Sequence, residues 1–126
     1  MKHILASSLV LLFLTLGLAA CGGPASETCT TGACTQDCAG GDCQLDCQAG
    51  ADCDATCAGG GCSYECIGEA DCNIACTGGG CTVACKDMAD CNVACTGGGC
   101  EFTCVDSSSC NGTCTGGACT GNGFPQ

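Results

Sequence analysis

Residues 72–81 read Cys72-Asn73-Ile74-Ala75-Cys76-Thr77-Gly78-Gly79-Gly80-Cys81, and this stretch decides the fold. A five-residue unit, C-x-x-x-C, is followed by a glycine turn and by the first cysteine of the next unit. From Cys34 onward the cysteines fall at intervals of four, five, four and six, so the pattern restarts at every nineteenth position: Cys34, Cys53, Cys72, Cys91 and Cys110. A fixed period of this length marks a repeat array. On a strand, positions 1, 3 and 5 of the unit share one face. That face carries Cys, a middle residue, and Cys. The middle residues along the chain are Gln36, Leu45, Ala55, Tyr64, Ile74, Val83, Val93, Phe102 and Gly112. The flanking residues, such as Asn73 and Ala75 or Glu101 and Thr103, are small or polar, as an outward face requires. A helix does not fit, because the recurring glycines leave no stretch of stable helical length.

The connectors alternate in length. Four-residue connectors read AGGG (58–61), TGGG (77–80 and 96–99) and TGGA (115–118); five-residue connectors read QAGAD (48–52), IGEAD (67–71) and KDMAD (86–90). Glycine runs supply the positive φ that tight turns need. Two short strands and two unlike turns per repeat describe one coil of a thin all-β solenoid. About four and a half coils, stacked at a strand spacing of roughly 4.8 Å, make a stub on the order of 20 Å long. An antiparallel meander is the alternative architecture, although the alternating turns then lack an explanation.

The array has little ordinary core. After residue 20 the large apolar side chains are Leu45, Tyr64, Ile67, Ile74, Val83, Met88, Val93, Phe102, Val105 and Phe124. Small exported domains of this kind depend on covalent staples. Metal binding is the weaker use of the cysteines: C-x-x-x-C on a strand separates its sulfurs by roughly 13 Å of backbone. C-x-C, C-x-x-C and His are all missing after residue 20, so zinc-type spacing and the dithiol redox motif are absent. The same separation forbids a bridge within one strand unit. Pairing across each turn gives Cys29–Cys34, Cys38–Cys43, Cys47–Cys53, Cys57–Cys62, Cys66–Cys72, Cys76–Cys81, Cys85–Cys91, Cys95–Cys100, Cys104–Cys110 and Cys114–Cys119. It leaves none of these cysteines single, and it reads Cys29–Cys34 as one more four-residue turn. A rival scheme joins the first cysteine of a coil to the fourth and the second to the third, as in Cys53–Cys66 with Cys57–Cys62, and strands Cys29 and Cys110. Bridges between stacked coils are a third arrangement, because connectivity is not readable from sequence alone.

The chain opens with a short basic start, Met1-Lys2-His3, and an apolar run from Ile4 to Leu18. This is the pattern of an export signal. The segment ends Leu18-Ala19-Ala20-Cys21, which resembles the lipobox of bacterial lipoproteins. That resemblance covers residues 1–21. It implies cleavage before Cys21, lipidation of Cys21 and stable anchoring through several acyl chains. Of the 21 cysteines, setting Cys21 aside leaves an even number to pair. In Gram-negative lipoproteins an Asp after the lipidated Cys directs inner-membrane retention; Gly22 stands here, so the resemblance implies the outer membrane. The expected layout is a signal peptide over 1–20, a lipidated tether over 21–28, the cysteine-rich repeat domain over 29–119 and a flexible tail over 120–126.

All 13 acidic residues follow Cys21, against the one base Lys86. Such acidity argues against nucleic acid and anionic lipid surfaces as partners. Asp52, Asp71 and Asp90 align one before each coil-starting Cys, with Ser109 in the fourth place, and Asp54, Asn73, Asn92 and Asn111 align two residues further on. Stacked carboxylates are candidate ligands for a hard divalent cation such as Ca²⁺. Solubility, an Asn ladder and protection of strand edges explain the same columns without a ligand. Thr77, Thr96 and Thr115 also align. The design is distantly similar to disulfide-stapled β-helices of some insect antifreeze proteins, but those carry paired Thr on a strand face, whereas these stand singly beside turns. A nucleophile lacks a nearby His, and the carboxylates lack an apolar pocket, so the sequence points to a non-enzymatic protein without a cofactor. The mature part resembles cysteine-rich tandem-repeat lipoproteins of bacteria. The expected role is structural, or interaction with a protein or glycan at the cell envelope; the alternative is cation binding on the Asp/Asn columns.

Overall fold

The structure, a computed structural model, describes residues 26–125. The expected signal peptide, Cys21 and most of the tether lie outside the described residues. Ten strands follow in order: β1 (Ser26–Cys29), β2 (Ala33–Cys38), β3 (Gln44–Cys47), β4 (Asp52–Cys57), β5 (Ser63–Cys66), β6 (Asp71–Cys76), β7 (Thr82–Cys85), β8 (Asp90–Cys95), β9 (Glu101–Cys104) and β10 (Ser109–Cys114). They form two five-stranded sheets. The short strands stack as β1-β3-β5-β7-β9 and the long ones as β10-β8-β6-β4-β2. Every pairing in both sheets is parallel and in register, so that Cys53 faces Cys72 and Cys72 faces Cys91. The chain is a β-solenoid in which each coil repeats the one before it, and the antiparallel meander is excluded.

The alternation in the strands sorts side chains as the pleat requires. Along β6 the exposure runs outward, inward, outward, inward, so Cys72, Ile74 and Cys76 lie inside. The middle residues Gln36, Leu45, Ala55, Tyr64, Ile74, Val83, Val93 and Phe102 are each at most 5 % exposed, and together with the cysteines they make one continuous core. Ala51, Ala70 and Ala89 add a further buried column at 0 % exposure, each just before a long strand. Ser108 takes the equivalent place in the last full connector, where its hydroxyl donates to Cys85 O and Val105 O.

The two edges of the solenoid differ. On the glycine edge the turns stack backbone against backbone: the Gly61 amide donates to Gly79 O at 3.0 Å, and the Gly80 amide to Gly98 O at 2.9 Å. Gly79 has φ +79°, and a Cβ there would sit 2.7 Å from Gly98 O. Glycine is therefore required twice over, by conformation and by space. On the other edge the connectors place two consecutive residues at positive φ, and these are not always glycine: Asp87 and Met88 lie at 52° and 66°, Asp106 and Ser107 at 55° and 62°.

Three expectations change. Residues 26–28, assigned to the tether, belong to β1, where they pair with Gln44, Leu45 and Asp46. The Cys29–Cys34 turn has four residues but does not belong to the glycine edge. Cys29 aligns with Cys47 and Cys34 with Cys53, which makes it a shortened member of the five-residue edge. Residues 120–124, assigned to a tail, fold over the last coil. Thr120 bridges to Glu101, Asn122 Nδ2 donates to Cys104 O and Asn122 Oδ1 accepts from the Cys104 amide, both at 2.7 Å, and Phe124 is 5 % exposed. The segment covers the open end of the short-strand sheet and mimics the next strand.

Candidate functional site

Four surfaces and two interior columns carry the chemistry. The interior columns are sulfur. Ten disulfides join the cysteines across successive turns, with Cα separations between 6.1 and 6.6 Å, inside the span a bridge accepts. Cys38–Cys43, Cys57–Cys62, Cys76–Cys81, Cys95–Cys100 and Cys114–Cys119 stack along the glycine edge. Cys29–Cys34, Cys47–Cys53, Cys66–Cys72, Cys85–Cys91 and Cys104–Cys110 stack along the opposite edge. Each bridge ties the end of one strand to the start of the next, so the bridges hold the two sheets together at both edges, while backbone hydrogen bonds hold coil to coil.

The stacking has a result that spacing along one strand hides. The Sγ atoms of Cys29, Cys34 and Cys53 all lie within 4.8 Å of one another, and so do those of Cys47, Cys53 and Cys72, and those of Cys66, Cys72 and Cys91. On the glycine edge the same holds for Cys38, Cys43 and Cys62, and for Cys57, Cys76 and Cys81. Sulfurs that a strand keeps roughly 13 Å apart meet their counterparts in the next coil instead. The repeat period, read together with the register it imposes, is the signal that leads to these columns.

The outer face of the long-strand sheet is a shallow groove. One wall is the column Thr35, Asp54, Asn73, Asn92 and Asn111; the other includes Thr56, Ala75, Ala94 and Thr113. Asn92 Nδ2 donates to Asn73 Oδ1 at 3.3 Å, so the amides form a ladder. Thr56 Oγ1 donates to Asp37 Oδ1 at 2.9 Å across the neighbouring column. The small residues keep this face flat. On the short-strand sheet, Lys86 Nζ and Glu65 Oε1 form an ion pair at 2.8 Å. Both ends are well exposed, so the pair contributes little to stability.

Asp52, Asp71 and Asp90 occupy one column at the strand starts, in register on β4, β6 and β8. The Asp71 carboxyl is raised above its ordinary value by partial desolvation and by repulsion from Asp52, Asp90 and Asp54. The column therefore concentrates negative charge. Thr77, Thr96 and Thr115 lie exposed on the glycine edge, and each amide donates to a cysteine carbonyl one coil back, at 3.1 Å. Tyr64 is the buried titratable group: it is 2 % exposed, its hydroxyl has no hydrogen-bond partner among the described residues, and burial pushes its pKa up to about 12. Cys21, the expected lipidation site, lies outside the described residues. No family model matches the chain, and neither a curated protein nor a solved structure is significantly similar to it.

Proposed function

We propose that the protein is a lipid-anchored, non-enzymatic repeat lipoprotein of the bacterial cell envelope, with a structural or interaction role. The observation that carries this reading is how the interior is used. Cysteine bridges and a column of mid-strand side chains from each sheet fill it, so the molecule offers partners its outer sheet faces rather than an apolar cleft. The lipobox-like Leu18-Ala19-Ala20-Cys21 supports the anchor, and Gly22 after it supports the outer membrane. Oxidised cysteines fit an exported protein. Intact mass of the purified mature protein, unreduced and reduced, tests the reading. It expects acyl chains on Cys21 and a gain of about 20 hydrogens on reduction, two per bridge. A mass without acyl chains overturns the anchor.

A second reading assigns divalent cations to Asp52, Asp71 and Asp90. They stand in register on successive strands, and their mutual repulsion, which adds to desolvation in raising the Asp71 carboxyl, is what a cation would relieve. Calorimetry with Ca²⁺ tests it: heat of binding that Asp71→Asn removes supports it, and no heat overturns it.

A further inference from the structure

The sulfur column on the five-residue edge has a feature that stapling alone does not require. Its interior bridges are sealed: Cys47, Cys53, Cys66, Cys72, Cys85 and Cys91 are all 2 % exposed or less. At the first coil Cys29 is buried but its partner Cys34 is half-buried, and at the last coil Cys104 and Cys110 are both half-buried, so the column is accessible only at its two ends, with Cys34 the accessible sulfur of the first. On the glycine edge Cys38 and Cys43 of the first bridge are both buried, and the half-buried bridge is the last one, Cys114–Cys119. From Cys34 inward the Sγ atoms form an unbroken series in which each bridge lies within 4.8 Å of a long-strand cysteine of the following coil: Cys53, then Cys72, then Cys91.

We propose that this column is a thiol–disulfide exchange line, opened at Cys34 by a dithiol reductant and carrying the resulting thiol from coil to coil. The first step is reduction. A thiolate of the dithiol attacks Sγ of Cys34, the Cys29–Cys34 bond breaks, and Cys29 leaves as a thiolate. The reductant's second thiol attacks the mixed disulfide, closes the reductant's own disulfide and releases Cys34. Two electrons pass from the dithiol to the bridge, and its two protons end on Cys29 and Cys34.

The next steps are exchange, with no change in the count of bonds. The Cys29 thiolate attacks Cys53; the Cys29–Cys53 bond forms, the Cys47–Cys53 bond breaks, and Cys47 becomes the thiolate. Cys47 then attacks Cys72 and frees Cys66, and Cys66 attacks Cys91 and frees Cys85. One sulfur–sulfur bond forms and one breaks each time, and the proton moves with the thiol. Exchange requires a thiolate and access to a disulfide sulfur. The reducing compound supplies the first thiolate, and the in-register coils supply the access, since attacker and target are already neighbours in a site closed to competing thiols.

The test uses the full mature chain carrying Cys34→Ser, which leaves Cys29 as a single thiol at the start of the column. The protein is held at mildly alkaline pH; samples taken at intervals are quenched with acid, denatured, alkylated with N-ethylmaleimide before exchange can resume, and mapped by peptide mass spectrometry, so that sealed thiols are labelled as well as open ones. The label is expected to leave Cys29 and to appear on Cys47 and then Cys66, with a Cys29–Cys53 bridge growing in. The rate should rise about tenfold per pH unit below the thiol pKa. A label that stays on Cys29 overturns the proposal, and so does one that scatters equally over both edges, which is scrambling through unfolding. A second measurement needs no variant: the wild-type chain is treated with one equivalent of dithiothreitol, then acid-quenched, denatured and alkylated in the same way. Among molecules labelled at Cys34, the second label should be shared by Cys29, Cys47, Cys66 and Cys85. Finding it on Cys29 alone overturns the line.

Discussion

Phe124 packs edge-on against Phe102, ring centroids 5.6 Å apart and planes at 74°, in space that Gly112 leaves open. Gly112 holds the interior position that Ile74 and Val93 fill in the preceding long strands. A Cβ on Gly112 would lie 2.6 Å from Phe124 Cδ1 and 2.9 Å from Phe102 Cδ1. The aromatic ring thus replaces a side chain the last strand lacks and closes the apolar interior against water. Phe124→Ala is expected to cost about 3 kcal/mol, the low end for truncating a core Phe. Gly112→Val should be comparably harmful by expelling the ring. Denaturant unfolding of the oxidised protein measures both. Hydrogen exchange at the Phe102 and Gly123 amides, which bond to Thr120 O and Phe102 O, shows whether the cap opens.

Reduction should unfold the array. Each bridge closes a loop of only five or six residues, for which the chain-entropy model gives about 2 kcal/mol. The bridges are not additive, but the apolar side chains are few and the cysteines are themselves most of the core. Complete reduction is expected to abolish β-sheet circular dichroism and protease resistance. Unchanged spectra after full reduction would show that the strand ladders hold without their staples.

Met88 offers a test of backbone strain. It lies at φ 66° and is 59 % exposed, so its side chain contributes little packing while its conformation favours glycine. Met88→Gly is expected to stabilise the oxidised protein by about 0.5–1 kcal/mol, after the greater freedom of glycine in the unfolded chain is deducted. Gly79→Ala on the opposite edge should destabilise by more than about 1 kcal/mol, because positive φ and a close carbonyl oppose the same methyl group. Paired denaturation curves compare the two.

Tyr64 is the single tyrosine, which makes its titration easy to read. The folded pKa is raised to about 12 against 10.0 for an exposed phenol. For an acid with a raised folded pKa, the proton is held more tightly in the native state. The stability tied to that proton is therefore complete below pH 10 and is lost as pH rises toward 12. Ultraviolet difference titration should show no phenolate step near pH 10 in the folded protein and a normal one after reduction and unfolding. Tyr64→Phe removes a buried hydroxyl that has no partner among the described residues and is expected to stabilise by about 1 kcal/mol.

Much of the coil was legible because cysteine spacing encodes period and face together. Cys34, Cys53, Cys72, Cys91 and Cys110 recur at one fixed interval, and the alternation through Leu45, Tyr64, Ile74 and Val83 separates inside from outside. What stayed hidden depends on relations between coils. Ser26–Cys29 has Ala25 where a C-x-x-x-C unit would begin, so its membership in the sheet rests on pairing with β3 alone. The four-residue turn after Cys29 is shortened rather than shifted to the other edge, and length alone cannot tell those apart. Phe124 follows the last cysteine, and only the vacancy at Gly112 gives it a place. A glycine at the middle of the last C-x-x-x-C with one Phe soon after is the signal that joins them. The sulfur contacts that link Cys34, Cys53, Cys72 and Cys91 run perpendicular to the chain, where reasoning along a strand does not look.

The strict register of the strands makes the coils interchangeable. Removing or duplicating one unit between equivalent cysteines leaves the first bridge and the closing aromatic pair in place and gives the remaining coils equivalent backbone partners, although a side-chain pair such as Lys86–Glu65 goes with its coil. Overall length then changes by one strand spacing, roughly 4.8 Å, per unit. Such a molecule is a ruler: recombination between repeats can lengthen or shorten it in uniform steps without redesigning either end.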